Sequence, residues 1–435
     1  MSLHGVAVTA TGAERLRARH PQLPLSDLAG GGAALEPGRP LRLLSPDGEA
    51  LAAGVADPEN ELVRIWTAAD GGTGGGTDGG SAIHAFDASF FRAHLRNALA
   101  MRRRLGLADG VSAYRLVNGE GDGLSGLAVD VYGPFAVATA LSRGLGNHAR
   151  ALATAALSVL PESDLPLRGA VFKIRLKAQG SSPERAKDQV LGEEPPAKLI
   201  VRENGVPYEV HLRGGINVGL FSDMRDHRAG LARFVRDRRV LNTFAYTGAL
   251  SLAAARAGAA AVTSVDLAGG PLAWGRENFR LSGIDPEEAR FRWETSDVFR
   301  FLETERERRT RHDVVILDPP TVSGARASLW AQKRDYPDLI AAACALLPEE
   351  GGHLWVSSNT HRGPSVLKHV EAGLARAGRP AALLELGGLP PDFPTPVGWP
   401  AARYLEVCQL SVGAGRPTTG STRSRSQSTP SIESG

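Results

Sequence analysis

The chain has 435 residues, 42% of them hydrophobic and 22% charged. That length suits two to four domains of about 100–200 residues, and the composition is globular, which excludes a disordered or fibrous chain. No apolar run approaches the roughly 18 residues of a membrane span, and the N-terminus lacks the apolar stretch of a secretory signal. Two cysteines, Cys344 and Cys408, exclude a disulfide framework and a cysteine-rich zinc site, so no metal is expected and a reducing, cytoplasmic location fits.

The formal charge is +3 under a pI near 9.0. The tail alone sets Arg416, Arg423 and Arg425 against Glu433, so the rest of the chain is close to neutral. Net charge by itself does not argue for nucleic acid.

Residues 1–70 predict a small β-rich module with short strands around an Asp47-Gly48 turn. Residues 71–111 hold a Gly-rich linker, GGTGGGTDGG at 71–80, and a connecting helix. In that helix Phe91, Leu95, Leu99 and Met101 fall on one side, while Arg96, Arg102, Arg103 and Arg104 cluster towards its end. The arginines read either as a solvated end that complements the helix dipole or as a patch facing phosphates.

Residues 112–200 form a mixed α/β stretch: YRLVNGEGDGLSGLAVDVYG, a strand in PFAVATALS, a helix through ALATAALSVL and a strand in GAVFKIRLK. From 201 to 413 apolar strand-length runs alternate with helical ones, which predicts a doubly wound, mostly parallel sheet covered on both faces. Residues 414–435 are rich in Ser, Thr, Arg and Pro and are expected to be disordered.

In doubly wound sheets ligands bind beyond the carboxyl ends of the strands. The first such end is Asn242-Thr-Phe244-Ala-Tyr246-Thr247-Gly248, with one glycine and no G-x-G-x-x-G fingerprint; no G-K-[ST] phosphate cradle occurs anywhere. Asp266 ends the next strand, eighteen residues after Gly248, and a carboxylate there can accept both hydroxyls of a ribose. A turn without phosphate ligands plus a ribose carboxylate suggests a nucleoside-type cofactor lacking a diphosphate. S-adenosylmethionine fits, against the plainer reading of an α/β core with an acidic helix cap.

The third strand end, Leu317-Asp318-Pro319-Pro320-Thr321, is stopped by two prolines that fix φ and remove donors. It leaves acceptors suited to the exocyclic amine of a flat base, or is a plain strand stop. Asp297 is positioned to accept from an adenine amino group or to be a solvated loop aspartate.

FAYTGALS, SVDLA, SDVF and LDPPT, in this order, resemble a class I S-adenosylmethionine-dependent methyltransferase with a Rossmann-like catalytic domain. VRENGVPYEVHL and GLFSDMRDHR upstream, together with YRLVNGEGDGLSGL, resemble a bacterial 23S rRNA methyltransferase family over nearly the whole chain to about Val412. The resemblance implies an N-terminal PUA domain, a strand–strand–helix–strand–strand middle domain and an RNA partner, with the oligomeric state left open. It further implies that Phe221, Asp223, Arg225 and Arg228 border the methionine or substrate end of the cofactor. The 244–248 loop, Asp266, Asp297 and Asp318 would line the rest.

The family includes cytosine-5 enzymes, in which a cysteine thiolate must first add to the ring. In an S-C-S-like motif that cysteine would stand at Asn359 of Ser357-Ser358-Asn359-Thr360-His361-Arg362-Gly363, and asparagine forms no such adduct. Cys344 and Cys408 both read as core. The segment resembles the S-N-N-K-R-G-like stretch of the family's guanine-N7 branch, with one extra residue. N7 carries an in-plane lone pair, so positioning by Asp318, the Pro319-Pro320 carbonyls and Asn359 would suffice. The expected activity is non-covalent 23S rRNA base methylation, guanine N7 favoured. The alternatives are a cytosine-5 enzyme or an inactive RNA-binding ribosome assembly factor.

Overall fold

The computed structural model describes residues 3–32, 35–68, 86–107, 112–159, 166–175, 188–215, 217–320, 322–325, 328–360 and 363–413. The expected linker at 71–80 and the expected disordered tail at 414–435 lie outside these residues, as do Thr321, His361 and Arg362.

β1 (His4–Ala7), α1 (Ala10–Arg17), β2 (Gln22–Pro24), β3 (Pro40–Leu44), β4 (Ala50–Asp57) and β5 (Leu62–Ala68) come first, and the strands form a sheet in the order β1-β3-β4-β5-β2. The β3–β4 connection turns at Asp47-Gly48, where Gly48 takes φ +91° and donates its N–H to the Ser45 carbonyl at 3.0 Å.

Asp87 caps α2 (Ala88–Arg104), accepting from the Ser89 and Phe90 N–H groups at 2.9 and 3.0 Å. The helix buries Phe91, Leu95 and Leu99, with Met101 half-buried. Its basic end is not uniform. Arg103 and Arg104 are exposed, but Arg102 is 1% exposed and donates to Asp122 at 2.6 and 2.8 Å and to the Asp392 carbonyl at 2.8 Å. Arg102 therefore meets neither solvent nor phosphate, a correction to both readings of the cluster. At about 100° per residue it falls on the same stripe as Leu95, Ala98 and Leu99.

β6 (Ala113–Asn118), β7 (Leu127–Tyr132), β8 (Phe135–Ala140), α3 (Gly146–Val159), β9 (Gly169–Ile174) and β10 (Gln189–Gly192) build a second five-stranded sheet, β10-β9-β8-β7-β6. Three strands precede its helix, one more than the strand–strand–helix–strand–strand order. The hairpin β11 (Leu199–Glu203) and β12 (Val206–Val210) leads into α4 (Arg225–Val235).

The remaining elements are β13 (Arg239–Thr243), α5 (Ala249–Arg256), β14 (Ala261–Asp266), α6 (Gly269–Leu281), β15 (Phe291–Thr295), α7 (Val298–Glu307) and β16 (Val314–Leu317), then the pair β17 (Val322–Ala325) and β18 (Ser328–Ala331), followed by α8 (Gln332–Cys344), β19 (Gly351–Asn359), α9 (Val366–Ala377), β20 (Ala381–Gly387) and β21 (Leu405–Gly413). Seven strands form the sheet β15-β14-β13-β16-β19-β21-β20, parallel from β15 to β19 and antiparallel at β21. β16 is buried throughout, as helices on both faces require. The fold is a Rossmann-like doubly wound α/β sheet.

Hydrophobic clusters run across the three sheets. Val55 and Trp66 pack with Phe91 and Leu116, and Tyr132, Phe135 and Val171 pack with Tyr208, Leu231 and Ile316. Among the described residues no helix is long and apolar enough to cross a membrane, and no group of three metal-ligating side chains assembles.

Candidate active site

Parallel pairing puts the carboxyl ends of β13, β14, β15, β16 and β19 on one edge of the sheet, and the strand order reverses between β13 and β16. A crevice opens at such a switch point. Here it is a cavity of about 810 Å³, within the range of small-molecule sites.

After β13 the chain turns sharply. Phe244, Tyr246 and Gly248 take φ of 55°, 49° and 69°; for the two non-glycines this costs of order 1–3 kcal/mol each. Asp266 holds the turn, its two oxygens accepting from the Tyr246 N–H at 2.9 Å and the Ala268 N–H at 3.0 Å. Each oxygen keeps a further lone pair. Thr247 donates its hydroxyl to the Gly219 carbonyl at 2.6 Å, and Asn278 holds the Thr247 carbonyl at 3.0 Å. Asp297 caps α7 by accepting from the Arg300 N–H at 3.1 Å and also lines the cavity.

Asp318 follows β16 and accepts from the Ser357 hydroxyl of β19. Burial pushes its carboxyl up to about 6, with the Ser357 bond pulling the other way and the nearby Asp223 charge adding to the rise. Behind it the buried Tyr336 hydroxyl donates to the Ser357 carbonyl, tying α8 to the strand ends. Asn359, at the exposed end of β19, lines the cavity with Asp318, Pro319 and Pro320.

The GLFSDMRDHR segment supplies another part of the wall. Phe221, 41% exposed, lies 5.4 Å from the Tyr246 ring, and Asp223 is buried and accepts from the Tyr404 hydroxyl at 2.8 Å. Burial raises the Asp223 carboxyl above its ordinary range, opposed by the Tyr404 hydrogen bond and by Arg115 and Arg228. Arg228 lines the cavity while its Nε and one terminal nitrogen lie on Glu203 at 2.7 and 2.5 Å.

Of the residues singled out in the sequence, Phe221, Asp223, Phe244, Tyr246, Thr247, Asp266, Asp297, Asp318, Pro319, Pro320 and Asn359 all line this one cavity. Gly248 and Arg225 do not. Gly248 supplies the left-handed turn that opens α5. Arg225 is buried and donates to Asp392 at 2.7 and 3.1 Å.

Several cavity or supporting residues carry no sequence signal. Asn217, Asp335 and Asp338 line the cavity, while Ser357, Tyr404 and Glu203 reach cavity residues 39, 181 and 25 residues away. The two cysteines line none of it. Cys344 packs with Ile340 and Leu347, Cys408 sits in β21, both are fully buried, and burial pushes their thiols up to about 11 and about 12.

A family model of S-adenosylmethionine-dependent methyltransferases matches residues 171–404. The chain belongs to this family. A relative from Klebsiella pneumoniae strain 342, the ribosomal RNA large subunit methyltransferase I, is 33% identical over 412 residues, covering 93% of this chain and 98% of that one. The same-named protein of Escherichia coli strain SMS-3-5 is 32% identical over 402 residues, covering 92% and 97%. The structure of a Streptococcus mutans S-adenosylmethionine-dependent methyltransferase superposes with a TM-score of 0.79 at 25% identity, over 94% of this chain and 100% of that one. A second methyltransferase structure, complexed with S-adenosylhomocysteine, gives the same TM-score, identity and coverage.

The protein is thus a methyltransferase that uses S-adenosylmethionine, which when bound supplies an electrophilic methyl group. The cavity fits such a group: its described lining holds six aspartates against two arginines, with the Phe221 and Tyr246 rings beside them. That set accommodates a cation bearing a flat base and a ribose.

Proposed function

We propose that this methyltransferase modifies a base of large-subunit (23S) rRNA by direct, non-covalent transfer, with guanine N7 the favoured acceptor. In this reading Asp266 takes the ribose hydroxyls of the cofactor, Asp297 its adenine amine, and Asp223 its cationic end. Asp318, the Pro319-Pro320 carbonyls and Asn359 orient the acceptor base. The RNA assignment draws on relatives named for large-subunit rRNA that align over almost their whole length. The acidic lining supports a base rather than a phosphate as the group that enters.

One observation carries the choice of chemistry. Addition to a pyrimidine ring needs a thiolate, and the chain's only two cysteines are core residues with raised thiol values outside the cavity. Asn359 stands at the rim instead. Labelled methyl transfer to large-subunit rRNA, followed by digestion to nucleosides, is expected to yield 7-methylguanosine. Exclusive recovery of 5-methylcytidine would overturn the acceptor, and failure to bind cofactor would favour an assembly role. A Cys344→Ala, Cys408→Ala double variant should retain transfer.

A further inference from the structure

Both cavity arginines already have a carboxylate partner. Arg228 is engaged by Glu203 at 2.7 and 2.5 Å, and Arg334 pairs with its neighbour Asp335 at 2.6 Å. Asp223 and Asp318 reach the cavity from different elements, the short 3-10 turn Ser222–Met224 ahead of α4 and the end of β16, and each accepts from a neutral hydroxyl, Tyr404 and Ser357 respectively. The charged groups facing Asp223 are Arg115, Arg228 and Asp130; those facing Asp318 are Asp223 and Arg228, with Tyr336 beside it. Burial raises both carboxyls, so each carboxylate is held in a setting that favours a cation as its neighbour.

We propose that Asp223 and Asp318 make the cavity select the cationic cofactor over its product, so that transfer itself weakens the product's hold. Transfer breaks the sulfur–methyl bond, leaves its electron pair on sulfur and delivers the positive charge to the base. S-adenosylmethionine and S-adenosylhomocysteine share their adenosine, amino and carboxylate groups, so their affinity ratio isolates the methyl and its charge. Two unit charges several ångströms apart at an effective dielectric near 20 are worth on the order of tenfold or more in affinity. The inference rests on the site placement proposed above, with Asp223 at the cationic end of the cofactor and Asp318 between that end and the acceptor base, and is independent of which base is methylated.

Calorimetric titration of the full chain without RNA tests it. The probes are S-adenosylmethionine, S-adenosylhomocysteine and an analogue with an ammonium in place of the methylated sulfur. The wild type should bind both cations about tenfold more tightly than S-adenosylhomocysteine at about pH 7.5, and the ratio should shrink as pH falls through about 6 and Asp318 protonates. Asp318→Asn and Asp223→Asn should each lower the ratio about three- to tenfold while S-adenosylhomocysteine affinity moves less than about twofold. Wild-type binding of S-adenosylhomocysteine as tight as that of S-adenosylmethionine, or a ratio flat across this pH range, would overturn the proposal. Equal weakening of both ligands in the variants would do the same.

Discussion

Asp318 was legible in the sequence because two prolines behind a run of four apolar residues mark a strand that must stop. Its partner was not. Ser357 was visible only as the start of the stretch aligned with the S-C-S-like motif; that it meets Asp318, 39 residues earlier, follows from the parallel pairing of β16 with β19. Burial raises the carboxyl and the Ser357 hydroxyl limits the rise. The folded value, about 6, lies above the ordinary 3.8, so the folded chain holds this proton more readily than the unfolded one. The associated stability is fully present below about pH 4 and lost as pH rises through about 6. Asp318→Asn removes that loss. It should unfold in urea with about 1–2 kcal/mol more stability than wild type at pH 8 and with little difference at pH 4, while methyl transfer falls about 100-fold. A variant less stable than wild type at pH 8 would contradict the assignment.

The alternation of strands and helices from 239 onward was readable because a sheet covered on both faces needs apolar strands; β16 supplies an unbroken run, VVIL, while β13 and β14 bury Asn242, Thr243, Thr263 and Ser264 among their apolar residues. The tight turn after β13 was read only in part. Its single glycine was visible, but left-handed backbone at Phe244 and Tyr246 follows from the clamp that Asp266 places on two N–H groups, and that clamp is a property of the assembled sheet. Asp266→Ala removes both acceptors together with the carboxylate we propose for the ribose. Equilibrium titration should show S-adenosylmethionine binding weakened about 10- to 100-fold, at an unchanged helix signal in circular dichroism. α2 shows the same limit: a run of three arginines reads as one basic surface, yet helical rotation sends Arg102 into the core beside exposed Arg103 and Arg104.

On the scale of the whole molecule, the segment 388–404 is the least legible part, and it joins everything. Asp392 is fully buried; its carboxylate takes the Arg225 guanidinium of α4 and the Arg115 N–H of β6, and its carbonyl takes Arg102 of α2. Pro394 accepts from Asn118 at 2.8 Å, Phe393 lies under Arg115 at 4.5 Å, and Trp399 meets His20 at 5.0 Å. No local pattern announces this, since an aspartate between prolines and a phenylalanine reads as a surface turn. Asp392→Ala leaves the buried Arg225 guanidinium with only the exposed Asp226 for a carboxylate and should cost about 3–5 kcal/mol in urea unfolding. Because apolar clusters also cross the three sheets, calorimetry should show the residues up to 413 melting in one transition rather than three. The chain order carries a further consequence for biosynthesis. Arg102 and Arg115 leave the ribosome 290 and 277 residues before Asp392, an interval of about 14–58 s at about 5–20 residues per second. Throughout that interval the Arg102 guanidinium and the Arg115 N–H lack the acceptors that Asp392 supplies, although Asp122 and Asp130 are already in place, so final docking against the 388–404 segment is scheduled by the last stretch of translation.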